Sequence, residues 1–484
     1  MAQDDPTPRI LRPGTTCWRI AHAPRLRVIV DAAEYFAAIR AAIREARHTV
    51  MLIGWDFDTR IRLDPGDSTG EAPDRLGRFL NWVVANRPEL NIYVLKWDLG
   101  VLRALGRGAT PMMALDWMSS RRIRFKLDHA HPFGSTHHQK IVVIDDALAF
   151  CGGIDITAER WDTREHRDDD PQRVSPTWRR RYGPWHDATT AVDGEAAQAL
   201  GDLARDRWKR ATGEEIPPSP ADCDAWPAAL QPSMTDVDVA ISRTLPAHSG
   251  HDAVREIEAL YLAVIAGARR TLYVEAQYFA SRTLAEAMAE RLRAPDGPEI
   301  VIVNPETADG WLQEEVMGSS RVRLLRVMRQ ADIHDRFRLY TPVTPAGTPI
   351  YVHAKVMVMD DRLLRVGSSN LNNRSLSFDT ECDLSVEARG TGDGLSRQIT
   401  DIRNDLLAEH LGVGDDAMKA AIERAGGSLI AAIEALRGTG RTLVPFEPPE
   451  LNMVEEEVLG ENGALDPERP ARAWRKPALR GLFR

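Results

Sequence analysis

HHQKIVVIDD, residues 137–146, and HAKVMVMDD, residues 353–361, decide the fold. Each sets a histidine and a lysine ahead of four apolar residues and closes on an Asp-Asp pair. A short apolar run bounded by turn formers reads as a fully buried strand. An imidazole and an ammonium at its mouth resist desolvation, so their repeated placement there calls for a reason other than packing. Side chains two apart on a strand share a face, which pairs His138 with Lys140 and His353 with Lys355. Asp145 and Asp360 fall seven residues beyond their histidines, on the opposite face, where each starts a turn. They read as formers of turn and backbone hydrogen bonds.

Outward from these strands the chain repeats itself. CGGID (151–155) precedes VGSSN (366–370) by 215 positions, the separation of His138 from His353. DATTAV (187–192) resembles ECDLSV (381–386), with an insertion ahead of it in the first copy. Upstream, 31–58 and 251–280 each place apolar residues at helical spacing before an apolar strand: Phe36, Ile39, Ile43 and Ala46 in one, Val254, Ile257, Tyr261 and Ile265 in the other. Strands at 90–98 and 299–306 correspond, as do 123–128 and 337–342. An internal duplication of this kind predicts two α/β sandwich halves, one sheet each, packed as a pseudo-twofold pair with the active site between them. The expected divisions are a first repeat at 25–211, a proline- and acid-rich linker at 212–236, a second repeat at 237–413 and a C-terminal extension at 414–484.

Composition is that of an ordinary globular protein. The 484 residues are 43% hydrophobic and 27% charged, with a formal net charge of −9. That balance argues against binding nucleic acid by bulk electrostatics. Four cysteines, Cys17, Cys151, Cys223 and Cys382, lack the spacing of a disulfide framework or a zinc knuckle. No apolar leader or membrane-length run is present, so the expectation is a cytoplasmic chain, peripheral on a membrane if bound to one; export without a cleaved leader is the alternative. The last sixteen residues, RPARAWRKPALRGLFR, carry six basic groups. They read as a frayed solvated tail, with contact to an anionic membrane as the alternative.

Two histidines and two lysines brought together by paired halves suit phosphoryl chemistry. The lysines hold non-bridging oxygens and stabilise a pentavalent transition state. One imidazole attacks phosphorus, and the other protonates the leaving oxygen, then deprotonates water or an alcohol. The lysines supply the positive charge, so neither metal nor cofactor is expected.

HQKIVVID with GGID, and HAKVMVMD with GSSN, resemble the paired HxKx4Dx6GSxN signatures of the phospholipase D superfamily. GWDF (54–57), RWDTREH (160–166), PWHD (184–187), EAQYF (275–279) and EHLG (409–412) resemble further blocks of its eukaryotic-type members and their bacterial relatives. The resemblance makes His138, Lys140, Asp145, His353, Lys355 and Asp360 the candidate catalytic motif residues. It implies His138 as nucleophile and His353 as general acid/base, with Asp187 and Glu381 each orienting a histidine. Gly153, Asp155, Ser368 and Asn370 are expected beside the phosphate. The implied reaction is hydrolysis of a glycerophospholipid at a membrane surface to phosphatidic acid and a free alcohol. Transfer follows when an alcohol replaces water. A cardiolipin-synthase-type transferase, a superfamily nuclease and a non-catalytic lipid-binding protein are the alternatives. No stable nucleic-acid partner is expected, and the chain is expected to be a monomer. The histidine-rich DHAHPFGSTHH (128–138) has no second-copy counterpart; it reads as a polar rim of the substrate channel rather than a metal site. Trp55, Trp161 and Trp185 are candidates to line an acyl or headgroup cleft, with core packing the equal alternative for Trp55.

Overall fold

The computed structural model describes residues 8–66, 72–98, 120–307, 319–390 and 393–447. The basic tail lies outside them. The first copy supplies β1 (Arg19–Val30), β2 (Thr49–Gly54), β3 (Asn91–Trp97), β4 (Ile123–Asp128), β5 (Ile141–Ile144), β6 (Leu148–Gly152), β7 (Trp185–His186) and β8 (Ala188–Asp193). Its helices are α1 (Ala32–Glu45), α2 (Leu76–Asn86) and α3 (Gly194–Thr212). The second copy follows with β9 (Met234–Leu245), β10 (Val254–Arg255), β11 (Thr271–Glu275), β12 (Glu299–Val303), β13 (Phe337–Val343), β14 (Tyr351–Val352), β15 (Val356–Met359), β16 (Leu363–Gly367) and β17 (Glu381–Glu387). Its helices are α4 (Glu256–Gly267), α5 (Arg282–Arg293), α6 (Ser319–Ala331), α7 (Asn373–Ser377) and α8 (Gly394–Leu411). After α9 (Asp415–Arg424) and α10 (Leu429–Leu436), β18 (Thr442–Pro445) adds to the outer edge of β13.

Strand order makes the duplication explicit. Inward from β18 at one edge it runs β13-β12-β11-β15-β16-β17-β9, then β1-β8-β6-β5-β2-β3-β4, a palindrome about the β9–β1 pair. The two sheets expected, one per copy, are thus hydrogen-bonded edge to edge through the antiparallel register Arg19↔Ile241 to Leu26↔Met234. Joining two long edges removes the unpaired backbone each would otherwise expose. The sheet then doubles back, so that β6 and β8 lie against β17 and β16. Cys151 and Cys382 meet there at 3.7 Å, sulfur to carbonyl oxygen.

Burial follows strand parity. In β2, Met51 and Ile53 enter a core shared by both copies, whereas Val50 and Leu52 pack with α1 on the other face. Strands covered on both faces are apolar throughout, which is why β5 reads IVVI without alternation. The helical residues predicted inside, Phe36, Ile39 and Ile43 of α1 and Ile257, Tyr261 and Ile265 of α4, are all buried. Val254 falls in β10 instead, ahead of the helix.

The connection after α3 is laced onto the first copy. Gly213, at φ 76, ends α3 with its N–H on Lys209 O. Ile216, Ala225 and Leu230 are buried, and Ser219 N–H donates to Asp146.

Candidate active site

The two motif aspartates lie far from any shared chemistry. Asp145, at φ 52, accepts from the backbone N–H groups of Arg47, His48 and Thr49 at 2.6–2.8 Å. Asp360, at φ 54, accepts from Arg269, Arg270 and Thr271 at 2.8–3.1 Å. Each carboxylate gathers the chain entering β2 or β11, at the end of β5 or β15 remote from the histidine, about 20 Å along the chain. They leave the catalytic set and belong to the frame.

At the opposite end of those strands the copies interlock. β14 pairs in parallel with β7, and His353 N–H donates to His186 O at 2.7 Å. The next residue, Asp187, then meets His353 Nδ1 at 2.6 Å. In the other copy His138 N–H donates to Thr380 O at 3.0 Å. Glu381, next in line, holds His138 Nδ1 at 3.0 and 3.1 Å. Each histidine is therefore aligned by the acid of the opposite copy, leaving its Nε2 for chemistry. Sequence correspondence picks out both acids; the crossing comes from the parallel pairing of short segments.

The residues expected beside the phosphate divide by what they touch. Ser368 donates to Glu381 and accepts from Cys382 N–H, so its hydroxyl is spent on the acid. Ser375 also donates to Glu381, at 2.7 Å. Gly153, the counterpart of Ser368, leaves room for the other acid: a Cβ there would lie 2.3 Å from Asp187 Oδ1. Asp155 faces Lys140 Nζ at 3.1 Å and Trp55 N–H at 3.1 Å. As a carboxylate it repels a phosphate and instead holds the lysine. Its counterpart Asn370 is buried, with Oδ1 lacking a hydrogen-bond partner among the described residues. Of the four, Asn370 has a side-chain atom left, an acceptor suited to a donor group of a ligand.

The lysines have unlike partners. Lys140 Nζ donates to His138 O at 2.9 Å and sits on a carboxylate. Lys355 Nζ donates to His353 O and, at 3.2 Å, to the neutral amide oxygen of Gln277. Burial pushes Lys355 down to about 7, with Asp187 opposing and Lys140 adding to the shift. Burial and the lysine charges also hold both His138 and His353 well below the usual imidazole range. Glu381 is pushed up to about 8 by burial, and Asp187 upward by the same cause. The free site thus stabilises neutral forms. An anion held between the lysines would reverse that bias, lifting Lys355 and His353 back toward protonation.

Arg160 and Gln277 escaped sequence reasoning, whereas Trp185, a candidate to line a cleft, does line one. Arg160 is buried with its guanidinium 4.3 Å over the Trp185 ring, and its charge acts on His353 and Lys355. Trp185 stacks on Tyr351 at 4.5 Å and approaches His353 at 5.4 Å. A cleft of about 310 Å³ opens beside Arg160, Tyr182, Trp185 and Tyr351. Arg160 and Gln277 both stood inside quoted blocks, so the signal was present without an assignment to single residues. Trp55 stacks on Trp97 at 6.1 Å, and Trp161 packs against the first-copy core. The histidine-rich segment disperses: His131 turns to Asp98, while His137 is enclosed by Asp128, Arg207 and Thr380. Burial and the Arg207 charge push His137 down to about 3.

Known proteins resemble this chain across both copies. The family model described as "Phospholipase D" matches residues 118–286, and that described as "Cardiolipin synthase, PLD-like domain" matches 261–403. Phospholipase D A of Dictyostelium discoideum is 24% identical over 80% of this chain and 36% of its own length. Phospholipase D alpha 1 of Nicotiana tabacum is 24% identical over 78% of this chain and 63% of its own. The chain therefore spans between about a third and two thirds of the curated relatives it matches. The crystal structure of phosphatidylserine synthase from Haemophilus influenzae superposes with a TM-score of 0.55 at 14% identity, covering 86% of this chain and 97% of that one. That likeness establishes the fold. Among the described residues no helix is long and apolar enough to cross a membrane. With two consecutive models of one superfamily spanning both histidine–lysine strands, the chain belongs to the phospholipase D superfamily.

Proposed function

We infer that this chain is a phosphodiesterase of the phospholipase D type, acting on glycerophospholipids at a membrane surface. The observation that carries this reading is the crossed pair of dyads, His138 with Glu381 and His353 with Asp187, beside two lysines. His138, whose side chain is 17% exposed against 6% for His353, is the better placed to meet an incoming phosphorus. Its Nε2 lone pair forms the N–P bond as the P–O bond to the headgroup breaks. His353 Nε2–H gives its proton to the departing oxygen, releasing the free alcohol. Neutral His353 then takes a proton from water, whose oxygen attacks phosphorus and breaks the N–P bond, yielding phosphatidic acid and restoring His138. Lys140 and Lys355 hold the non-bridging oxygens throughout. An alcohol in place of water gives transphosphatidylation by the same steps.

A second reading, phosphatidyl transfer as the main activity, is favoured by the cardiolipin synthase model over 261–403. One experiment separates these from the remaining alternatives. Purified protein is offered phosphatidylcholine, phosphatidylglycerol and single-stranded DNA, with and without added alcohol, beside His138→Asn and His353→Asn. Phosphatidic acid release that disappears in both variants is expected. Product formed only with an alcohol acceptor favours the transferase, cleavage of DNA alone refutes both lipid readings, and turnover of nothing favours a binding protein. Acid-labile phosphate on the wild type but not on His138→Asn identifies the attacking nitrogen.

A further inference from the structure

The RWDTREH, PWHD and EHLG blocks leave a buried cluster that the two-histidine chemistry does not use. Asp31, His166, His186 and Glu409 bring one ligand-competent atom each to a common point, all within 4.8 Å of one another. His166 Nε2 lies 3.2 Å from Glu409 Oε1 and 3.5 Å from Asp31 Oδ2. His186 Nδ1 lies 2.9 Å from Glu409 Oε1 and 3.5 Å from Asp31 Oδ1. Four ligands at zinc bond lengths around a tetrahedral ion are about 3.4 Å apart, close to these separations.

Three further observations point to an ion. The outer nitrogen of each imidazole is held by a carboxylate, His166 Nδ1 by Asp162 and His186 Nε2 by Glu275, both at 3.0 Å. Metal-bound histidines are oriented in this way. Asp31 is 1% exposed and its Oδ2, directed at His166, accepts no hydrogen bond among the described residues. Its backbone, φ 66 and ψ 155, occupies a region almost confined to glycine, a strain that a fixed side-chain position helps to account for. A neighbouring group, His186, Glu275 and His410, shares His186; with His186 Nδ1 on the ion, its Nε2–H remains with Glu275.

We propose that Asp31, His166, His186 and Glu409 form a closed structural site for a zinc-class divalent ion. Two imidazoles among the donors disfavour calcium and magnesium, which take oxygen ligands. Two carboxylates and two neutral imidazoles around a divalent ion make a set with no net charge, suited to burial. Three ligands belong to the first copy and Glu409 to α8 of the second, so the ion ties the copies together. Asp31 Oδ1 also accepts from Asp187 N–H at 3.1 Å, linking the ion to the residue that aligns His353. The sequence alone points to no metal here: the lysines supply the catalytic charge, and the histidine-rich segment weighed as a metal site, 128–138, is a different one.

The test uses the full chain, purified without chelator from zinc-supplemented cells and measured by elemental analysis. About one zinc per chain is expected, with a fall in Tm on stripping that added Zn2+ reverses. Cobalt substitution should give the visible absorption of a four-coordinate site. Asp162→Asn, which removes the partner of His166, should weaken Zn2+ affinity about 10–100-fold. Wild type that carries no stoichiometric metal, and whose Tm ignores both Zn2+ and chelator, overturns the proposal; the cluster is then a network of protonated histidines among carboxylates. Full metal retention by Asp31→Asn/Glu409→Gln places the ion elsewhere and equally overturns it. These readouts require no substrate, so they stand apart from the test of the lipid reaction.

Discussion

Glu381 shows how a residue kept for chemistry weighs on the fold. It is buried, and that burial raises its carboxyl from 4.5 to about 8. The folded state therefore binds more protons than the unfolded chain between those values, and this group's stabilising contribution is lost as pH rises from about 4.5 through 8. Glu381→Gln is expected to flatten that part of the pH dependence of Tm while lowering kcat by about 10⁴-fold, as for loss of the carboxylate that fixes the tautomer of a catalytic imidazole. Thermal melts of both proteins from pH 5 to 8 check the first half; an unchanged slope would refute it. Gly153→Ala tests the opposite acid. Its Cβ would collide with Asp187 Oδ1, so kcat should drop with the chain still folded by circular dichroism. Lys355, at about 7, predicts that KM rises above neutrality as the ammonium is lost, and a KM profile over pH 6–9 measures it.

At the scale of elements, the strands that carry histidine are rigid because their far ends are tied. Asp145→Ala removes three hydrogen bonds from backbone N–H groups to a carboxylate, each worth on the order of 1.5–3 kcal/mol. Chemical denaturation should show a loss of at least about 3 kcal/mol, with kcat per folded molecule nearly unchanged. That role was legible beforehand, since strand parity alone turned Asp145 and Asp360 from the histidine face. The duplicated strands and the α1 and α4 faces were legible too, because hydrophobic period survives without tertiary information. β1 and β9 were not recognised, although Val237, Val239 and Ile241 alternate inward, because charged residues and Pro24 break their apolar content. β18 was hidden in a proline-rich stretch; four residues become a strand only when an edge is offered. The crossing of acids, the spending of Ser368 on Glu381 and the approach of Arg160 to Trp185 depend on contacts more than 10 residues apart in sequence, which no local pattern encodes.

For the whole molecule, the site exists only where the copies meet, and kinetics can reveal which pairs act together. His138→Asn combined with Glu381→Gln should cost little more than the worse single variant, since both disable one dyad. His138→Asn combined with Asp187→Asn touches both dyads and should lose more than either alone. Finding instead that His138 couples to Asp187 would refute the crossed arrangement. The edge-to-edge union of β1 and β9 has a last consequence. Because the halves are one polypeptide, a mutation in one is not copied into the other. Glycine opposes serine at 153 and 368, aspartate opposes asparagine at 155 and 370, and a carboxylate opposes an amide as the lysine partner. An assembly of identical halves is bound to symmetry and must let either histidine begin the reaction. Here the symmetry is broken in the gene itself, so a substrate can enter in one orientation and each side of the site can be tuned for a single step.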